Sequence, residues 1–423
     1  MRLASLMICI SIQWLCAAPS DILPFSRSEL TEIESSFFAD IDDGKLDDFT
    51  AYDAFLIASG LCERAEYTAY QKKIHAIRDK ALADLGSSRG EDPYALGKKL
   101  LFWLYDNVLK TYQATATVAY TILDNGEYNC LSASILYCLL AADLGLPVYG
   151  VMVPDHAFCV LKDARGDKDI ETTVKYGFDP GSKEIEKLRN ETRYVYVPKN
   201  NYSKREEMSV LSLIANLYGN RISLLQHSTG DCEKDMPKYK KGYYIDPRST
   251  FFRENIASCF HNLAIFAVQK NAFTAAMDII RQGKVFDPKG DYRTLTLQVY
   301  QTQARTAAAT NDFAGAIAKT KEAFREYPAD PLMRQNVVYY YTTWGRRYSE
   351  KKDYQKALSI FEAGNRDVPD AVLERNIRAM YYNLAAAAYR AGDRRGASRI
   401  CDTALTLFPA DAELKKLKAA SQQ

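Results

Sequence analysis

Histidine is scarce in this 423-residue sequence. There are four, and none sits in the HExxH arrangement by which one helix holds a zinc ion beside a general base. None of the nine cysteines forms a CxxC pair, so no metal site is expected. A glycine-rich phosphate loop is missing, which removes nucleotide binding, and no cofactor is implied. Charge of one sign is lacking too. Lys and Arg number 55 against 53 Asp and Glu, and a net charge of +2 gives no reason to expect a nucleic-acid or membrane-surface partner. Past the first eighteen residues, no run is long and apolar enough to span a bilayer.

What is present is ordinary globular composition, 47% hydrophobic and 26% charged, in a chain long enough for at least two domains. The 29 tyrosines suit contact surfaces and packing between helices equally. Residues 1–18 read as an export signal: Arg2 supplies the positive end, Leu3 to Leu15 is largely apolar, and Ala17 and Ala18 suit cleavage. The expected location is therefore outside the cytoplasm, in a bacterial periplasm. Lipid anchoring through Cys16 is disfavoured by the Gln13-Trp14-Leu15 that precedes it. Removal of the signal leaves seven cysteines, an odd number, so at least one thiol stays unpaired within the monomer.

Residues 19–110 read as helices. Ser28 to Phe38 carries a start signal, and Cys62 to Leu85 is a long helical pattern broken at Gly86-Ser87-Ser88. Asp92-Pro93 then restarts a helix with Leu96, Leu100, Leu101, Leu104 and Val108 on one stripe. From Cys130 the apolar residues again follow helical spacing until Gly145-Leu146-Pro147. Three short β-rich runs follow, Val148 to Val153, His156 to Leu161 and Ile170 to Val174, which predicts a small antiparallel sheet.

That layout delivers Cys130, His156 and Glu171 in order, at intervals of 26 and 15 residues. A cysteine in the first turn of a helix meets the positive end of the macrodipole, which favours its thiolate. A facing histidine can hold that thiolate as an ion pair and protonate a leaving group, and a carboxylate can fix the imidazole. At these residues the chain resembles the transglutaminase-like superfamily of papain-type thiol enzymes. The matching pieces are Asn129-Cys130 opening a helix that ends Leu144-Gly145-Leu146-Pro147-Val148, then His156-Ala157-Phe158, then Ile170-Glu171-Thr172-Thr173. The resemblance covers about residues 100–200. It implies Cys130 as nucleophile, His156 as base and acid, and Glu171, where the family carries Asp, as the orienting carboxylate. Asp179 is a fallback acid. For the oxyanion hole the candidates are the Cys130 N–H, Tyr112, Gln113 and Asn125.

The polar stretch at residues 200–205 suits a domain boundary. Beyond it prolines recur at 247, 288, 328, 369 and 409, at intervals of 41, 40, 41 and 40. Five residues before each stands a small residue, Gly242, Gly283, Ala323, Gly364 or Ala404. Twelve before the last four stands Ala276, Ala316, Ala357 or Ala397, whereas Asp235 takes that place in the first. This pattern resembles the tetratricopeptide repeat with about six residues added per unit. The resemblance implies a superhelix of about five helix pairs, the first degenerate, with Lys415 to Lys418 in a terminal cap. It aims His261, Gln301, Arg305, Tyr339, Arg346, Tyr382 and Tyr389 at a concave face suited to a protein or peptide partner.

The expected architecture is therefore α+β: a signal at 1–18, a transglutaminase-like domain with a helical N-terminal part at 19–204, and an all-α repeat domain at 205–423. Two functions fit. One is an exported thiol hydrolase or acyltransferase acting on peptide amides. The other is a non-catalytic interaction scaffold in which the thiol domain is inactive. The sequence leaves the oligomeric state open.

Overall fold

The helix expected from Ser28 starts three residues later than its sequence suggests. In this computed structural model, which describes residues 20, 23–26, 28–154, 156–180, 204–225 and 231–422, Thr31 rather than Ser28 is the N-cap of α1 (Glu32–Ile41). Glu34 reaches back to close a capping box there, which satisfies two orphan donors at once. Thr50 and Asp53 do the same for α2 (Ala51–Ala58), a helix buried along almost its whole length. Then come α3 (Arg64–Leu85), a short 3-10 turn at Gly86–Ser88, and α4 (Pro93–Asn107). Asp92 precedes Pro93 as expected but does not cap the helix with its side chain; it pairs with Arg165 at 2.7 Å. The predicted leucine stripe of α4 is buried.

A two-residue parallel pairing of β1 (Thr111–Tyr112) with β2 (Glu127–Tyr128) brackets α5 (Ala119–Asn125). It leads into α6 (Cys130–Asp143), of whose 14 residues 11 are buried. Each buried Leu or Ile on such a helix contributes about 1.5–3 kcal/mol, which makes α6 the central post of this part of the chain. Against it lies an antiparallel sheet in the order β5-β4-β3-β6, formed by β3 (Val148–Val153), β4 (His156–Leu161), β5 (Lys168–Ile170) and β6 (Glu206–Met208). The third strand lies earlier than its sequence suggests, ending at Ile170 where the predicted run begins, so Glu171 lies just beyond β5 rather than inside it. Val148 pairs with Leu161 and Val153 with His156. That register puts Val151, Val153, Phe158 and Val160 together in an apolar cluster, while Cys159 faces α6.

The boundary expected between residues 204 and 205 lies elsewhere. β6 completes the sheet by pairing with β3, and α7 (Val210–Asn220) packs on α2, α6 and β3. One compact unit ends at Phe260 and the other comprises His261–Gln423. The first unit thus contains the degenerate first helix pair, α7 with α8 (Cys232–Ile245). Helix α9 (Thr250–Gln269) runs across the division.

The second unit is a succession of tetratricopeptide-like helix pairs. After α10 (Phe273–Phe286) come α11 (Arg293–Ala309) with α12 (Phe313–Glu326), α13 (Pro331–Glu350) with α14 (Tyr354–Asp367), and α15 (Ala371–Arg390) with α16 (Arg394–Leu407). A final helix, α17 (Ala412–Gln422), holds Lys415 to Lys418 and packs on α16 and α15. Each periodic proline stands two residues past the end of the second helix of its pair. The helix-ending N–H returns to the carbonyl of the small residue four places back, as from Asp287 to Gly283 and from Phe408 to Ala404. Ala276, Ala316, Ala357 and Ala397 are fully buried. Gly283 and Gly364 leave room for Tyr292 and Tyr341, whose ring atoms would lie 2.6 and 2.7 Å from an added Cβ. Tyr300, Tyr341 and Tyr381 occupy equivalent positions, and each hydroxyl donates to a carboxylate on a second helix of the stack: Glu326, Asp367 and Glu362. Among the described residues no helix is long and apolar enough to cross a membrane, and residues 1–19, where the export signal is expected, lie outside them.

Candidate active site

The start of α6 is fixed by a polar network on a side chain that carries no charge. Asn129 is its N-cap; the Oδ1 atom accepts the N–H groups of Leu131 and Ser132, both at 3.0 Å. Ser132 Oγ accepts the Asn129 N–H and donates to the carbonyl of Ala116 at 2.8 Å, and Asn129 Nδ2 donates to Ala114 O at 3.1 Å. The loop over 114–117 is thereby tied to the first turn. Cys130 is the first helical residue, half-buried, and its own N–H takes no part in the cap.

His156 opens β4, where its ring is 7% exposed. Its Nε2 meets Glu171 Oε2 at 2.8 Å, and the Cys130 thiol lies close enough to the ring to act on its charge. Burial works to lower its pKa, but the negative charge of Glu171, the nearby Cys130 thiol and the hydrogen bond to Glu171 outweigh that, so the imidazole is raised to about 10. The proton therefore stays on the ring through the neutral range. Of the three residues singled out in the sequence, His156 and Glu171 are in direct contact, and Cys130 lies near the ring.

Glu171 is itself held at its other oxygen. Oε1 accepts the Thr173 N–H at 3.0 Å and the Thr173 hydroxyl at 2.6 Å. Its backbone N–H donates to Gly177 O at 2.7 Å, closing the loop. Gly177 is required there, because any Cβ would run into the backbone of Glu171. Thr172 turns the other way: its hydroxyl meets Ser134 Oγ on α6 at 2.8 Å, and its carbonyl accepts the Tyr105 hydroxyl at 2.9 Å. Asp179, the fallback acid, faces Lys168 at 3.5 Å instead. Phe158 stacks on His156 with ring centres 6.3 Å apart.

Of the residues weighed for the oxyanion hole, Tyr112 lies near the thiol. It is 42% exposed, and burial together with the charges of Cys130 and Glu171 pushes its phenol up to about 12. It is placed by the β1–β2 pairing, with its ring edge-on to Tyr128 at 5.9 Å. The backbone N–H of Gln113 is already committed to Tyr128 O at 2.8 Å, and Asn125 is an exposed residue closing α5. The sequence reading missed Asn129, Ser132 and Thr173 as supports of the site. An Asn-x-x-Ser capping box before an apolar run, legible in Asn129 to Ser132, was the available signal.

In the second unit Gln301, Arg305 and Tyr339 line one cavity of about 390 Å³, with Tyr300, Asn336 and Leu332 around them. Tyr339 is 60% exposed. The other four positions assigned to a groove do not line that cavity. His261 stacks on Tyr292 at 4.5 Å, Tyr389 lies under the Arg394 guanidinium, and Arg346 and Tyr382 are exposed.

No family model matches this chain, and no curated protein matches it significantly. Solved structures do. PilF of Pseudomonas aeruginosa is 12% identical over 50% of this chain and 87% of its own, with a TM-score of 0.16. YrrB, described as a TPR protein with an unusual peptide-binding site, is 14% identical over 56% and 97%, at 0.15. PilW, a type IV pilus biogenesis factor, is 13% identical over 56% and 96%, at 0.16. Likeness at such TM-scores does not bear on what this chain does; its repeat architecture rests on its own helix pairs.

Proposed function

We propose that the chain is an exported thiol enzyme that transfers the acyl group of a peptide amide, with Cys130 as nucleophile. The observation that carries this reading is the single imidazole, His156, set near the sulfur at a helix start and bonded to a carboxylate braced by Thr173. With Nε2 committed to Glu171, Nδ1 serves the sulfur. The Cys130 thiolate attacks the carbonyl carbon, and the uncommitted N–H of Cys130 stabilises the oxyanion. His156 gives its proton to the departing amine as the C–N bond breaks, leaving an acyl-thioester. A water or amine then attacks the thioester while His156 takes back a proton. The transglutaminase-like resemblance supports the same assignment, with Glu171 in the place of the family's Asp. The tetratricopeptide-like helices would hold a protein or peptide at the face carrying Gln301, Arg305 and Tyr339.

The test is the pH profile of alkylation at Cys130, followed by mass spectrometry. Between pH 8 and pH 5 an ordinary thiol loses roughly three orders of magnitude in rate, because its thiolate disappears. A thiolate held by His156 should change less than about tenfold, and Cys130→Ala should remove the signal together with turnover of peptide amides. A profile at Cys130 that matches free cysteine would sink the enzymatic reading and leave an interaction scaffold with an inactive thiol domain.

A further inference from the structure

Two further cysteines lie behind the site and take no part in the chemistry above. Cys138 is two turns along α6 from Cys130, and Cys159 is the fourth residue of β4, three after His156. Their sulfurs are 3.5 Å apart, both are 2% exposed or less, and Cys159 Sγ also lies 3.5 Å from the carbonyl of Ser134. A disulfide needs its sulfurs about 2.05 Å apart, so closing the bond brings these two about 1.5 Å nearer. Of the other thiols, Cys259 has Cys232 as a neighbour but lies away from the site. Cys62 donates to the Ile57 carbonyl at 3.5 Å, and Cys401 is buried in the last helix pair among Ala385, Ala404 and Leu414.

The geometry points to a covalent cross-link between Cys138 and Cys159, which would fasten the helix that begins with Cys130 to the strand that begins with His156. It does not rest on the acyl-transfer reading. The step is an exchange with an external disulfide. One thiolate attacks it and releases one reduced thiol; the second thiolate then displaces the other. Two cysteine thiols are oxidised, one disulfide is reduced to two thiols, and the two protons pass to those products. Burial raises the Cys159 thiol well above its usual range, so exchange takes place before α6 seats on β4 or when the two part. Once closed, the bond is sheltered from soluble reductants by the same packing. The span of 21 residues makes it a useful constraint on the unfolded chain.

The experiment uses the full chain refolded in a mixture of reduced and oxidised glutathione, then unfolded in denaturant with a maleimide present. Trypsin would leave all three cysteines on one peptide, since no Lys or Arg occurs between Lys110 and Lys162. A protease that cuts before Asp separates Asp124–Ala142, holding Cys130 and Cys138, from Asp155–Lys162, holding Cys159. The expected result is these two peptides joined, with the maleimide on Cys130 and the bridge at Cys138 when the pair is fragmented. Wild type should also melt several degrees lower in reductant, and Cys138→Ala/Cys159→Ala should melt alike in both buffers. Maleimide on both Cys138 and Cys159, or a bridge from Cys130, would overturn the proposal. The peptide map of the wild type decides the matter even if the variant fails to fold.

Discussion

The two halves of this molecule bury different things. Around α6 the interior takes in Asn129, Ser132, Ser134, His156, Thr172 and Thr173, each given a hydrogen-bond partner. The helix pairs after His261 bury alanines, aromatic rings and aliphatic side chains, with few polar exceptions such as Thr296 and Thr320. Those two threonines merely return their hydroxyls to carbonyls one turn back, Tyr292 O and Ala316 O. Polar burial costs free energy unless every group is paired, so a region that concentrates it gives up stability for a fixed arrangement of atoms. The stack instead repeats one inexpensive contact at a period of 40 or 41 residues.

If that contrast is right, substitutions in the first region should alter chemistry far more than stability, and those in the second the reverse. Glu171→Gln is the sharpest case, because it keeps the shape and removes the charge. It should slow acyl transfer by about two orders of magnitude or more. It should also raise the pH at which alkylation of Cys130 changes, since the lost charge helps hold on His156 the proton that keeps the thiolate paired. Urea titrations across pH offer a second handle. The folded pKa of His156 is raised to about 10 from an unfolded value near 6.5, so its contribution is complete below 6.5 and disappears as pH rises through 10. Wild type should lose a few kcal/mol over that window, and His156→Gln should lose much less.

The complementary substitution is Gly364→Val. Its Cβ would sit 2.7 Å from the ring of Tyr341, and such overpacking costs about 1–3 kcal/mol. The thermal midpoint should fall while the pH profile of Cys130 stays unchanged; a shifted profile would break the contrast. The smallest effect is expected at Lys352, held at φ 64° in the turn between α13 and α14. Lys352→Gly relieves left-handed strain but adds freedom to the unfolded chain, for a net gain of about 0.5 kcal/mol by denaturant unfolding.

How legible each half was follows from the same contrast. Periodicity is local, so prolines and small residues spaced along the chain disclosed the helix pairs. The turns went unread because their left-handed positions are filled by different residues: Asn271, Asn311, Lys352 and Gly392. Strands β3 and β4 were visible as continuous apolar runs. β6 was not, since Glu206 and Glu207 look like loop, and the polar stretch before it suggested a boundary that the pairing with β3 contradicts. The placement of Tyr112 beside the thiol depends on two parallel pairs, Thr111 with Glu127 and Tyr112 with Tyr128, too short to leave a hydrophobic pattern. Ser28 lost the helix start to Thr31 because only Thr31 has an acid at the right distance, Glu34, to complete the box.

The three-residue turns recur at 270–272, 310–312, 351–353 and 391–393. Each joins the same two kinds of helix, with an aspartate closing the last three and capping the helix that follows. A cut at one of the last three turns and a splice at the next of them would leave both seams chemically alike. The reach of this arm can therefore be lengthened or trimmed in whole units, by duplication or deletion of a gene segment, without redesigning any junction.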